Sequence, residues 1–127
     1  MNALRHCVLI VDDEAMIAQL WSIHMEMIGL DVCGVAATAE AAIALAQEHR
    51  PALVLMDVRL KGEADGIDAA IAIREQMDSK VIFISGSQEP STLARMKLGS
   101  PSCVLFKPVS DRQLHAAVRN ALDPAAA

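Results

Sequence analysis

The sequence predicts an α/β domain built on a parallel sheet, and three observations carry that expectation. Continuous apolar runs at Cys7–Val11, Ala52–Met56, Val81–Ile84 and Cys103–Phe106 lack the polar alternation of a half-exposed strand, so each is expected to be buried on both faces. Between them lie segments with helical apolar spacing, and regular strand–helix alternation calls for parallel strands joined by right-handed crossovers. The 127 residues suffice for one such domain, and no linker or repeat divides them.

Each element has its own local reason. The first strand, Cys7–Val11, stops at Asp12, Asp13 and Glu14. From Ala15 to Ile28 the positions Ile17, Leu20, Trp21, His24, Met27 and Ile28 recur at three- and four-residue steps, and Gly29 follows as a C-terminal stop. Leu30 to Ala37 is a thinner strand, weakened by Gly34 and suited to a sheet edge. Thr38 is an N-cap for an Ala-rich helix over Ala41–His49, with Glu40 favoured in its first turn by the helix dipole, and Pro51 is expected to end it. The third strand, Ala52–Asp57, leads into a turn-rich loop from Lys61 to Gly66, and a helix over Ile67–Met77 closes at Asp78 and Ser79. The fourth strand, Val81–Ile84, ends at Ser85. Pro90 suits the first turn of a short helix over Ser91–Leu98, stopped by Gly99 to Pro101. After the fifth strand, Cys103–Phe106, Ser110 and Gln113 form a capping-box pattern ahead of the stripe Leu114, Ala117, Val118, Ala121 and Leu122, and Asp123-Pro124 ends the helix.

Composition narrows the function. With 54% hydrophobic and 21% charged residues the chain is globular rather than disordered, and no apolar run nears the ~20 residues of a membrane span. The first six residues are too short and polar for a signal peptide, so a cytoplasmic protein with no membrane partner is expected. A net charge of -5 argues against direct nucleic-acid binding, and Trp21, Phe83 and Phe106, the only aromatic residues, offer no stacking platform. Cys7, Cys33 and Cys103 are odd in number, widely spaced and set among apolar neighbours, which reads as reduced core thiols. His6, His24, His49 and His115 lie on separate elements without ligand spacing, so no zinc site is expected. The methionines at 16, 25, 27, 56, 77 and 96 read as core filler.

The strand ends point to chemistry. Asp12 and Asp13 close the first strand, Asp57 the third, Ser85 the fourth and Lys107 the fifth. Taken singly, Asp57 is a turn former, Asp12-Asp13 a helix cap, Ser85 a loop residue and Lys107 a surface lysine. Taken together they deliver polar groups to one sheet edge. In a flavodoxin-like order 2-1-3-4-5, with five helices on both faces, the first and third strands flank the switch point where ligands bind. Crowded carboxylates raise one another's pKa unless a compensating charge is present, and a hard cation such as Mg²⁺ answers that need where phosphate is also bound. Lys107 adds a charge for phosphoryl oxygens and Ser85 a hydroxyl donor, leaving one carboxylate as nucleophile.

Val11 to Glu14, Leu55-Met56-Asp57, Asp65-Gly66, Ser85-Gly86 and Lys107-Pro108, in that order, resemble the receiver domain of two-component response regulators. The resemblance implies one receiver domain over 1–127, with its core at about 7–122. It implies Asp57 as phospho-acceptor, Asp13 as a direct Mg²⁺ ligand, Asp12 holding metal-bound water, and the Arg59 backbone carbonyl completing the site. Ser85 would follow the phosphoryl group, Lys107 would counter its charge, and Lys107-Pro108 would be cis. The implied donor is a histidine kinase or phosphotransfer protein. The product would act on a downstream protein through the face of the last two helices and last strand. Self-catalysed phosphotransfer and autodephosphorylation are the only expected activities.

Departures from that family's pattern are specific. Lys61 stands where Pro is common, and the loop to Asp65-Gly66 is one residue longer, which predicts greater mobility there. Val104 replaces the usual Tyr or Phe, and a stiff β-branched side chain cannot make the aromatic swing. Phe106 shares its face by alternation, and motion around the fourth helix is the expected relay. Val109 replaces the usual Phe after Lys-Pro. Together with Asp57 to Leu60 and Phe83 to Gly86, these features resemble an atypical receiver subgroup frequent in alphaproteobacteria. Arg59 and Ser87, each two residues past a site residue, are placed to tune access of hydrolytic water. The competing readings are a receiver fragment of a larger regulator or hybrid kinase, an Mg²⁺-dependent phosphatase with an aspartyl nucleophile, and a flavodoxin-like cofactor carrier. The second calls for an Asp-x-Asp nucleophile loop and a substrate cap, and the third for a phosphate-cradling loop after the first strand; the sequence has none of these. An intact Met1 and no residual linker favour a stand-alone receiver.

Overall fold

In the computed structural model, which describes residues 5–123, the ten elements follow in strict alternation. They are β1 (Arg5–Val11), α1 (Ala15–Met27), β2 (Asp31–Ala36), α2 (Ala39–His49), β3 (Pro51–Asp57), α3 (Gly66–Gln76), β4 (Lys80–Ser85), α4 (Pro90–Leu98), β5 (Cys103–Phe106) and α5 (Asp111–Leu122). The strands form one sheet in the order β2-β1-β3-β4-β5, and every adjacent pair is parallel. The order places β3 at the centre with β1 and β4 beside it, so that three of the apolar runs form the inner strands.

Strand alternation splits the core into two layers. Leu9, Val11, Val54, Met56, Val81 and Phe83 face α2, α3 and α4. Val8, Ile10, Leu53, Leu55, Ile82 and Ile84 face α1 and α5. All twelve are 0% exposed, which is why these strands read as unbroken apolar runs rather than alternating ones. The edge strand β2 is irregular, its register with β1 shifting between Val8 and Leu9, in keeping with its Gly34.

Several boundaries and faces differ from expectation. Pro51 starts β3 rather than ending α2, because Arg50 takes the left-handed conformation (φ 47°) as the helix C-cap; a proline at a strand's first residue is tolerated. The loop ahead of α3 is closed by a reciprocal capping box between Asp65 and Asp68, and Thr38 Oγ1 accepts from the Ala41 N–H at 3.1 Å. Cys7 is buried, whereas Cys33 and Cys103 are only half-buried, so the three thiols are not all core residues. On α1 the inward face is Ala18, Trp21, His24 and Met25. Leu20 and Met27, expected inside, are 48% and 68% exposed, and Met16 is 83% exposed. The core-filler reading therefore fails for Met16 and Met27. Helix α1 carries apolar residues on two sides, and only one can face the sheet.

Candidate functional site

The site is assembled by backbone hydrogen bonds at the carboxyl end of the sheet. The Asp12 N–H donates to Ala36 O at 3.0 Å, the Val58 N–H to Ile84 O at 3.2 Å, and the Lys107 N–H to Ser85 O at 2.9 Å. Each bond ties a strand end to its neighbour, so Asp12, Asp57, Ser85 and Lys107 sit on rigid backbone rather than mobile loops. The Gly66 N–H donates to Val58 O at 2.7 Å, and a Cβ on Gly66 would land on the Asp57 carbonyl oxygen. Only glycine permits the loop to fold this closely under β3. The Lys107-Pro108 peptide is cis.

Asp57 is buried, its side chain 5% exposed, with Lys107 Nζ 3.1 Å from its Oδ1. Oxygens of Asp12, Asp13 and Asp57 lie within 4.8 Å of one another. Burial and the charge of Asp12 push the Asp57 carboxyl up to about 6, against the pull of Lys107. Burial also raises Asp12, opposed by the Glu14 N–H that donates to its Oδ1 at 2.8 Å. Asp12 Oδ2, by contrast, is buried without a hydrogen-bond partner. Such an orphaned acceptor beside two further carboxylates suits a hard divalent cation, which takes oxygen ligands and offsets their repulsion.

Asp13, Asp57 and Lys107 line an open pocket of about 540 Å³. The structure brings Asp13, Asp57, Ser85 and Lys107 to it together, and Arg59 and Ser87 border it as well. Arg59 is exposed and Asp13 half-buried. The Ser85 hydroxyl is turned back on its own loop, donating to Ser87 O at 2.9 Å and accepting from the Ser87 N–H at 3.0 Å. Sequence reasoning missed the clamp on the far wall. Arg95 of α4 donates to both oxygens of Asp65, at 2.8 and 3.2 Å, and to Asp68 Oδ1 at 3.1 Å. Burial alone would raise the Asp65 carboxyl, but hydrogen bonds from Arg95 and the Asp68 N–H hold it below the usual range. The available signal was Arg95 itself, one helix turn before the end of a segment otherwise read only for its caps.

Comparison with known proteins agrees with this geometry. A family profile described as the response regulator receiver domain matches residues 8–119. The transcriptional regulatory protein PdtaR of Mycobacterium tuberculosis is 30% identical over 115 residues, covering 91% of this chain and 56% of that protein. The phyllosphere-induced regulator PhyR of Methylorubrum extorquens is 31% identical over 116 residues, covering 91% of this chain and 43% of that one. The chain thus spans about half the length of these curated relatives. Among solved structures, the signal receiver domain of a modulated diguanylate cyclase from Desulfovibrio desulfuricans G20 superposes with a TM-score of 0.84 at 36% identity, covering 91% of each chain.

Proposed function

Because the chain belongs to the response regulator receiver family, we propose that it is a phosphorylation switch in which Asp57 accepts a phosphoryl group from the phosphohistidine of a histidine kinase or phosphotransfer protein. The observation that carries this reading is the buried Asp57 carboxylate, paired with Lys107 at 3.1 Å and crowded by Asp12 and Asp13.

Transfer forms an Asp57 Oδ–P bond as the N–P bond of the donor breaks, and the electron pair stays on the imidazole nitrogen, which then takes up a proton. With its carboxyl pushed up to about 6, Asp57 is mostly ionised at neutral pH and therefore nucleophilic. Asp12, Asp13, Asp57 and the Arg59 backbone carbonyl would hold Mg²⁺. That ion supplies positive charge against the carboxylates and the phosphoryl oxygens. Lys107 orients the attacking carboxylate and then neutralises a phosphoryl oxygen, while Ser85 leaves its bonds to Ser87 to donate to another. Arg59 and Ser87 at the rim govern the entry of hydrolytic water.

The donor must reach Asp57 from the pocket mouth, and α1 starts beside it. Met16, Leu20, Ile23 and Met27 form an exposed apolar stripe along that helix, between 46% and 83% exposed. The stripe fits the apolar face of a helix presenting the phosphohistidine. The length of the curated relatives favours one second reading, a receiver that works joined to an output segment. An immunoblot of the native protein separates the two by size, and the Asp57 chemistry is common to both.

The decisive experiment incubates the protein with acetyl phosphate and Mg²⁺ and measures intact mass. The expected result is one phosphoryl addition to the wild type and none to Asp57→Asn; uptake that survives the substitution would move the site elsewhere.

A further inference from the structure

On the face of the sheet away from Arg95, where α1 meets α5, three polar side chains form a chain that phosphotransfer does not use. His24 Nδ1 lies 3.0 Å from His115 Nε2, across 91 positions of sequence. The rings meet edge to face, with centroids 5.0 Å apart and planes at 62°. The other nitrogen of His24, Nε2, lies 3.2 Å from Asp111 Oδ1. Asp111 and His115 are four residues apart on α5 and so share a face. His24 is 8% exposed, and His115 is half-buried.

The carboxylate of Asp111 only accepts, so His24 Nε2 carries the hydrogen. In neutral His24 that leaves Nδ1 a bare lone pair aimed at His115. A histidine whose second nitrogen is held by a carboxylate is the arrangement that orients metal-binding imidazoles and raises their basicity. The spacing agrees. Two imidazole nitrogens bound at about 2.0–2.1 Å to one zinc-like ion, with an angle between about 90 and 109°, lie roughly 2.9–3.4 Å apart.

We propose that the α1–α5 junction binds a divalent transition-metal ion of the zinc class through His24 Nδ1 and His115 Nε2, with Asp111 as the positioning residue for His24. His115, the more exposed ring, turns so that the two lone pairs converge, and its proton moves from Nε2 to Nδ1. Water fills the remaining coordination positions. Mg²⁺ is a poor competitor, because it prefers several hard oxygen ligands, which the acidic pocket supplies, whereas the ligands proposed here are two imidazole nitrogens and the Asp111 carboxylate is engaged with His24 Nε2. The inference departs from the expectation that histidines on separate elements hold no metal, because the crossovers bring His24 and His115 together.

The test titrates the full chain with Zn²⁺ by calorimetry, with Mg²⁺ saturating the acidic pocket, and records the Cu²⁺ electron paramagnetic resonance spectrum. One Zn²⁺ per chain is expected, with affinity reduced at least about tenfold in His115→Gln and roughly tenfold in Asp111→Asn. The Cu²⁺ spectrum should show coupling to two nitrogens, falling to one in His115→Gln. That variant alters a half-buried helix position and should keep its phosphoryl uptake, so the test stands even if His24→Gln fails to fold. Unchanged Zn²⁺ affinity in His115→Gln, a Cu²⁺ spectrum without nitrogen coupling, or no Zn²⁺ uptake at all overturns the proposal.

Discussion

Asp57 concentrates the cost of the site in one residue. Its carboxyl stands at about 6 in the folded chain, against an ordinary 3.8. The native state therefore holds more protons than the unfolded state between those values, and stability falls as pH rises through that window and is level above it. In metal-free protein Asp57→Asn should remove this slope and raise stability at pH 7 by about 1–3 kcal/mol. Urea unfolding at several pH values checks both; a variant with the wild-type slope would assign the proton to another group. The same carboxyl predicts that phosphoryl uptake slows as pH drops below about 6, where the nucleophile is protonated. Gly66 is the second sensitive residue. An alanine there meets the Asp57 carbonyl oxygen, and Gly66→Ala should cost about 2–4 kcal/mol, read as a lower thermal midpoint together with weakened phosphorylation.

At the scale of elements, α1 and α4 have separate jobs. The outer stripe of α1 is exposed, so Leu20→Ser and Ile23→Ser should change stability by less than about 1 kcal/mol. They should slow phosphotransfer from the donor protein while leaving uptake from acetyl phosphate intact, and equal loss with both donors would count against docking there. Helix α4 is fastened to α3 by Arg95, whose bonds to Asp65 and Asp68 sit on the pocket wall. On the proposed function, a phosphoryl group on Asp57 would add roughly -1.5 to -2 charge to the pocket that Arg95 and Asp65 also line, and would compete with Asp65 for that guanidinium. Arg95→Ala should cost no more than about 1 kcal/mol, because the pair is partly exposed. It should speed amide exchange over Pro90–Leu98 in the unphosphorylated protein. Chemical shifts from Gly86 to Leu98 that stay fixed on phosphorylation would remove α4 as the relay. Val104 packs against the α2–α3–α4 layer, so an aromatic swing at that position has no counterpart here.

The whole molecule couples this chemistry to folding. Ligands that bind only the native state stabilise it by mass action, so Mg²⁺ at a hundredfold excess over Kd should add about 2.7 kcal/mol at pH 7. Chelation should reverse the gain, and it should fade as pH falls below about 6 and Asp57 protonates. Differential scanning calorimetry with and without Mg²⁺ measures this, and a gain that is undiminished in Asp57→Asn would locate the ion elsewhere. The sheet holds three acids at one edge because its three inner strands, β1, β3 and β4, are each paired with a neighbour on both sides. A fully packed apolar layer covers each face.

What the chain alone determined is local and periodic. Unbroken apolar runs mark doubly buried strands, the polar residues after them mark one sheet edge, and the cap patterns at Thr38 and Ser110 mark helix starts. From these the α/β class and the gathering of Asp12, Asp13, Asp57, Ser85 and Lys107 at one edge follow, because a parallel sheet sends every strand's carboxyl end the same way. The order 2-1-3-4-5 is only a supposition from the flavodoxin-like pattern at that level, and the tertiary structure supplied it. The tertiary structure decided whatever depends on which faces meet. Periodicity counted Leu20 and Met27 with the core, but α1 has two apolar sides and the sheet covers one. Arg95 reaches Asp65 across 30 positions and His24 reaches His115 across 91. Neither pairing leaves a trace in local spacing, because each is made only when crossovers set helices side by side and packing fixes their rotation.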